Sequence, residues 1–168
     1  KELQERPVVR YFQCESVTPL VYNRTAMEIL FEYAKRNLPV VFAPMGMAGG
    51  TAPATLAGAV ALLNAEILAG ITVGQLLCPG LRVSYGSNSS ILDMKTAAFA
   101  NGAPEMGLLA MLLGSLSRYY ELPFFAISNV SDALRPDSQA SVEKTLSALS
   151  AMLAGAEVGG VGYIGNEA

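Results

Sequence analysis

Val40-Val41-Phe42-Ala43-Pro44-Met45-Gly46-Met47-Ala48-Gly49-Gly50-Thr51-Ala52-Pro53-Ala54-Thr55-Leu56-Ala57-Gly58 joins an apolar strand to a long helix through a junction far richer in Gly, Ala and Met than a turn requires. Val40-Val41-Phe42 reads as a strand of a buried parallel sheet, because no polar residue interrupts it. Gly46, Gly49 and Gly50 lack a Cβ, so the junction lets backbone approach another group closely. Pro53 suits the first turn of the following helix, with Thr51 as its expected N-cap.

Outward from this junction the chain repeats the same grammar. Strand 8–12 precedes a helix over 24–36, strand 38–42 a helix over 52–78, strand 82–85 a helix over 104–120, and strand 124–127 a helix over 138–154; 158–161 opens a fifth unit. Pro79-Gly80, Leu122-Pro123 and Gly155 punctuate the returns from helix to strand, as C-terminal Gly and following Pro should. Four βα units without a hairpin imply parallel strands. A doubly wound sheet shares this pattern, yet it usually places a compact Gly-rich phosphate turn directly after its first strand, and none stands there. The expected fold is therefore α/β, with parallel units of a (β/α)8 TIM barrel. At 168 residues the chain falls short of the roughly 250 of a whole barrel. Residues 1–168 are expected to be a single barrel segment, truncated at both ends and holding about half of it.

Composition removes several function classes. The chain is 52% hydrophobic and 15% charged with a net charge of -3, which describes a heavily buried protein without a basic face for nucleic acid. It has no His, and its two cysteines, Cys14 and Cys78, lie far apart. No zinc set or disulfide framework can be written from them, and the cytoplasm is the expected compartment. The start Lys1-Glu2-Leu3-Gln4-Glu5-Arg6 has neither the apolar core nor the cleavage site of a signal peptide. The apolar stretch 55–78 is long enough for a membrane span, but Glu66 near its middle would cost about 2.5–3.5 kcal/mol in a bilayer. A buried helix is expected instead. Its Gly70 and Gly74 allow close backbone approach, first for packing within the chain and, as the alternative, against a second subunit, so a homo-oligomer is a further expectation.

Parallel-barrel chemistry sits on the loops after the strands' carboxyl ends, which shortens the list of polar candidates. These loops carry Glu15 and Ser16; Met45 and Met47; Ser84, Tyr85, Ser87, Asn88 and Asp93; Ser128, Asn129, Ser131, Asp132 and Asp137; and Tyr163, Asn166 and Glu167. A site walled by Glu15, Asp93, Asp132 and Tyr85 is anionic and aromatic, which suits a cationic ligand better than a phosphate. Simpler roles compete. Asp137 reads first as a helix cap, Glu105 as an acid favoured at a helix start, and Asp93-Met94-Lys95 as an ion pair.

The junction, with its Pro-Met-x-Met-Ala-Gly loop before Thr-Ala-Pro-x-Thr-Leu-Ala-Gly, resembles the trimethylamine methyltransferase family, corrinoid-dependent enzymes that demethylate methylated amines. Tyr85-Gly86-Ser87, Asp93-Met94, Gly102-Ala103-Pro104-Glu105 and Ser131-Asp132 through Pro136-Asp137-Ser138-Gln139-Ala140 follow in the family's order and extend the match over nearly the whole chain. The resemblance implies transfer of a methyl group from a tertiary or quaternary amine, such as trimethylamine or glycine betaine, to the cobalt(I) of a cognate corrinoid protein. The corrinoid would be carried by that partner, with no cofactor bound tightly here. The segment shows no unusual residue, so a member without pyrrolysine is expected, for which betaines are favoured substrates.

A quaternary ammonium has no N–H and must be held by ring faces, soft apolar walls and carboxylates. Tyr85, Phe99, Tyr163, Met45 and Met47 are the candidate walls; Asp93, Glu105, Asp132 and Ser128 are the candidate polar contacts. For the methionines and for Phe99 and Tyr163, plain core packing is the competing reading. Two other functions remain open at this level: a non-catalytic amine-binding barrel, and an aldolase-like lyase. Against the lyase, Lys35, Lys95 and Lys144 all lie outside the apolar strands where a Schiff-base lysine is expected.

Overall fold

Apolar strands that must bury both faces pair most simply in parallel, with helices returning the chain between them. The computed structural model describes residues 12–160, and within them the chain follows that rule. Its elements are β1 (Phe12–Cys14), α1 (Arg24–Lys35), β2 (Val40–Phe42), β3 (Met47–Ala48), α2 (Leu56–Leu77), β4 (Val83–Ser87), β5 (Ser90–Ile91), α3 (Pro104–Tyr119), β6 (Phe124–Ile127), α4 (Ser138–Leu153) and β7 (Val158–Gly160).

Five strands form one sheet in the order β1-β2-β4-β6-β7, and each neighbouring pair is parallel. This order follows the chain and lacks the reversal of a doubly wound sheet. One row of the sheet runs Cys14, Phe42, Tyr85, Phe124 across four strands. These side chains share a buried core with Leu30 of α1, Leu63 and Ile67 of α2, Leu113 of α3 and Ala151 of α4. All four helices therefore meet the same face. Val41, Ala43 and Phe125 form a separate buried cluster on the opposite, helix-free face. A parallel sheet wound in one direction with its helices on one side is compatible with half of a TIM barrel.

Local chemistry explains the element ends. Asn23, Thr55 and Asp137 cap α1, α2 and α4, each accepting a backbone N–H from the first turn, and Pro104 opens α3. Gly80 and Gly155, at φ 83° and 82°, turn the chain after α2 and α4, a conformation in which other residues would be strained. Two sequence expectations are corrected. The cap of the long helix is Thr55 rather than Thr51, whose hydroxyl instead accepts from Met47 N at 3.0 Å. The third strand runs on to Ser87. The first is described from Phe12 only, residues 8–11 lying outside the described part.

By length and composition α2 is the one described helix that could cross a bilayer. Its inner side packs Leu63, Glu66, Ile67, Gly70 and Gly74 into the protein. A Cβ on Gly70 would stand 2.4 Å from the Phe42 ring and from the Tyr22 hydroxyl, and one on Gly74 3.2 Å from Leu81. These glycines serve contact within the chain, the first of the two readings the sequence offered.

Glu66 is buried on that inner side and ties down the segment after β1. Its carboxyl accepts from the hydroxyls of Ser16 and Thr18 and from Leu20 N at 2.7 Å, while Tyr22 donates to the Glu66 carbonyl at 2.9 Å. Burial pushes the Tyr22 phenol well above its ordinary range, with Cys14 and Glu66 adding to the rise. Glu66→Ala would strand three donors, at about 1–3 kcal/mol for each one left buried and unpaired. The expected result is a large drop in the thermal midpoint for Glu66→Ala and a smaller one for Glu66→Gln, whose amide oxygen still accepts. Equal midpoints for Glu66→Ala and wild type would contradict this anchoring.

Candidate functional site

At the carboxyl ends of the strands the ladder hydrogen bonds stop, and the chain must satisfy its backbone in some other way. After β2 and β4 it does so with a second parallel ladder. Asn88, Ser90 and Leu92 donate their N–H groups to the carbonyls of Pro44, Gly46 and Ala48 at 3.2, 3.1 and 3.0 Å, forming the β3–β5 pair. Ser89 closes the same seam: its hydroxyl donates to the Pro44 carbonyl at 2.8 Å and accepts from Gly46 N at 3.0 Å. Ser90 bonds the Ala100 carbonyl through its hydroxyl. Gly46 packs closely here, and a Cβ on it would come within 2.7 Å of the Leu63 side chain, which would have to shift. The Gly- and Met-rich junction is a fixed rim.

Next to this rim lies a polar cluster. Gln13 pairs in register with Val41 of the helix-free face, and its amide donates to Glu15 Oε1. Asn88, which immediately follows β4, reaches the same oxygen with Nδ2 at 3.2 Å. The carboxyl ends of β1 and β4 thus meet across the end of β2, the strand between them. Asn88 is 7% exposed and its Oδ1 has no hydrogen-bond partner among the described residues. Met45, in the loop after β2, is 44% exposed.

A concavity lies between the β5–α3 segment and the β6–α4 segment. It is a cleft of about 550 Å³ lined by residues that include Asp93, Met94, Gly102, Pro104, Asp132, Gln139 and Glu143. It continues into a recess of about 300 Å³ along Asp93, Thr96, Phe99, Asp132 and Leu134. Its carboxylates are committed to backbone and neighbouring side chains. Asp93 accepts from Thr96 Oγ1 at 2.6 Å and Lys95 N at 2.9 Å. Asp132 accepts from Asn101 N, Asn101 Nδ2 and Gly102 N. Glu143 accepts from Ser131 Oγ, Asp132 N and Gln139 Nε2 at 2.7, 2.9 and 2.8 Å.

The sequence-derived candidates therefore divide. Asp93, Asp132 and Phe99 line one cleft, while Glu15 and Asn88 meet at the rim. Tyr85 does neither and is corrected: its ring is fully buried on the helix side, against Tyr120 and Phe124, with its hydroxyl donating to Asn64 Oδ1 at 2.8 Å. That burial holds its phenol well above the ordinary range. The expected Asp93–Lys95 ion pair is instead a turn, in which the Lys95 backbone is the donor. Glu105 sits half-buried in the first turn of α3, apart from both concavities. Met47 is half-buried in β3 and Ser128 is buried after β6. Tyr163, Asn166 and Glu167 lie outside the described residues. Glu143 was not singled out from the sequence; the only available signal was its place six residues after Asp137, on the first turns of a helix facing Ser131-Asp132.

Burial pushes the Cys14 thiol up to about 12, with Glu15 adding to the rise, so it is not a thiolate at neutral pH. Among the described residues no three His, Cys, Asp or Glu side chains are placed to hold a metal ion.

Comparison with known proteins places these features in context. The family model for trimethylamine methyltransferase (MTTB) matches residues 1–159. The chain is 38% identical over 156 residues to trimethylamine methyltransferase MttB1 of Methanosarcina mazei, covering 93% of this chain and 31% of that protein. It is 37% identical over 153 residues to a glycine betaine methyltransferase of Desulfitobacterium hafniense, covering 91% of the chain and 32% of the relative. A trimethylamine methyltransferase MttB of Desulfitobacterium hafniense is 38% identical over 157 residues, covering 94% and 32%. The chain spans about a third of the length of these relatives.

The hydrogen bonds around Glu143 have a consequence for acid stability. Partial burial pushes its carboxyl up, but the bonds from Ser131, Gln139 and the Asp132 and Ala133 backbone outweigh this and hold it below the ordinary 4.5. Its stabilising contribution is complete above that ordinary value and is lost as pH falls through the lower folded value. Glu143→Gln should flatten the fall in thermal midpoint between about pH 5 and pH 3. Superimposable pH curves for variant and wild type would show that Glu143 does not clamp the Ser131-Asp132 segment.

Proposed function

The chain belongs to the trimethylamine methyltransferase (MTTB) family, and on that premise we propose that the full-length protein moves a methyl group from a methylated amine to the cobalt(I) of a corrinoid held by a partner protein. The observation that carries this reading is the similarity, at 37–38% identity, to methyltransferases whose names specify trimethylamine in two cases and glycine betaine in another. Both named substrates are methylated amines, so the shared chemistry is a carbon–nitrogen bond at a cationic or protonated nitrogen.

In this proposal the one-directional sheet closes into a TIM barrel, its helix-free face becomes the interior, and the rim at the ends of β1, β2 and β4 forms part of the mouth. Barrel enzymes keep their chemistry at that end. The corrinoid supplies the nucleophile when its partner docks. What remains for these residues is to bind the amine, orient the methyl group and exclude water, which together can provide a large part of a rate enhancement. Glu15 offers negative charge to an ammonium, and Met45, in the loop after β2, offers a soft, partly exposed wall. Asp93, Asp132 and Glu143 support the neighbouring segments.

The reading is tested by incubating the full-length protein and its reduced corrinoid protein with trimethylamine, glycine betaine, carnitine and proline betaine in turn, following the corrinoid absorbance. Turnover with one of these amines is the expected outcome. Calorimetric binding of an amine without turnover would favour a non-catalytic amine-binding barrel. Absence of both would remove methylated amines as its ligands.

A further inference from the structure

A helix on the outside of a water-facing layer turns charged residues to solvent, opposite the stripe that it packs into the core. α1 does so: Arg24, Glu28, Glu32 and Lys35 are exposed and pair with one another or with Arg36. α2 and α3 do not. The side of α2 opposite Leu63, Ile67 and Gly70 carries Ala57, Ala61, Ala65, Ala69, Thr72 and Leu76, all exposed, and the single charged residue of this helix, Glu66, is on the buried side. The outward line of α3 is Leu108, Leu112, Ser115 and Tyr119. Leu76 and Tyr119 are 79% and 78% exposed, so large side chains stand almost wholly clear of the fold.

The polar groups on these lines are already engaged. Thr72 Oγ1 donates to the Leu68 carbonyl at 2.8 Å and Ser115 Oγ to the Met111 carbonyl at 2.9 Å, each within its own helix. Arg118, at the edge of α3, turns its guanidinium to the Ala154 carbonyl and to Ser115 Oγ. Apart from the Tyr119 hydroxyl, the two lines offer a partner neither a charge nor a free donor. Two such helices packed about 8–10 Å apart cover about 500–600 Å² in projection. Single soluble chains rarely expose an apolar patch above a few hundred Å², and each partner in a standard interface contributes about 600–1,000 Å².

The position of the face selects its occupant. α2 is flanked by α1 and α3, and α3 by α2 and α4, so a further helix of this layer joins only beside α1 or α4, at the edges of the sheet. A second copy fits from outside the layer: about a twofold axis the face meets itself, and a face without charges sets no like charges against each other. We propose that the outward face of α2 and α3 is a self-association surface on which a second copy of the protein packs. It lies on the side of α2 opposite Gly70 and Gly74, whose contacts are internal.

The test is the mass of the full-length protein in solution, measured by light scattering during size-exclusion chromatography. Wild type is expected to contain at least two subunits. Ala65→Arg and Leu112→Arg, each placing a charge at an exposed helical position, are expected to lower the mass by half or more, while Thr25→Arg, on the charged outer side of α1, leaves it unchanged. A wild type of one subunit, or an undiminished mass in both α2 and α3 variants, overturns the proposal. If these variants do not fold, hydroxyl-radical footprinting of the wild type decides: Leu76, Leu112 and Tyr119 are expected to be protected in the assembly and oxidised after dilution to single subunits. Protection that persists in the single subunit assigns the face to the remainder of the protein's own chain, and oxidation within the assembly shows it uncovered; either result overturns the proposal.

Discussion

The second parallel ladder, in which residues 88–92 donate to carbonyls of 44–48, is the constraint on which the rest of the arrangement depends. A sheet that ended at Phe42 and Ser87 would leave two loops free to move. Here the backbone's need for partners holds them together, and the hydroxyl of Ser89 closes the seam from both sides. Across the end of β2, the segment after β1 is held separately by the Glu66 carboxyl. The two residues that meet at the rim, Glu15 and Asn88, are thus delivered by segments each anchored to a different part of the core. Positions fixed this way are what binding without induced rearrangement needs.

Two acidic regions occupy this end of the sheet, and their hydrogen bonding separates their roles. In the cleft between the β5–α3 and β6–α4 segments, Asp93, Asp132 and Glu143 each accept two or three hydrogen bonds from nearby backbone and side chains. Such carboxylates stabilise loops, and a ligand would have to compete for their lone pairs. At the rim the balance is reversed. Two donors crowd onto one oxygen of Glu15, and an acceptor is left over on Asn88.

Much of the fold was legible in the sequence because helix and strand periods do not resemble each other. The helices over 24–35, 104–119 and 138–153 stand within a residue of expectation, and Asp137 caps as its position before Ser138 suggested. What could not be read is which face each strand residue takes. Tyr85 ends a strand when judged by composition, yet the strand runs two residues further, and its register with Phe42 turns the ring toward the helices. The same limit hid the rim. Gly-Ser-Asn-Ser-Ser reads as a polar loop, and only pairing with 44–48 turns it into a ladder. Thr51 and Thr55 are both good caps in sequence, and the loop's use of Thr51 for Met47 N left the helix to Thr55.

The most direct test of the proposed reading, in which the rim at the ends of β1, β2 and β4 faces the amine, is a crystal structure of the full-length protein grown with trimethylammonium. The account predicts the amine on the helix-free side of the sheet at this rim, with Glu15 facing its charge. An amine seated instead in the cleft between Asp93, Asp132 and Glu143 would contradict it.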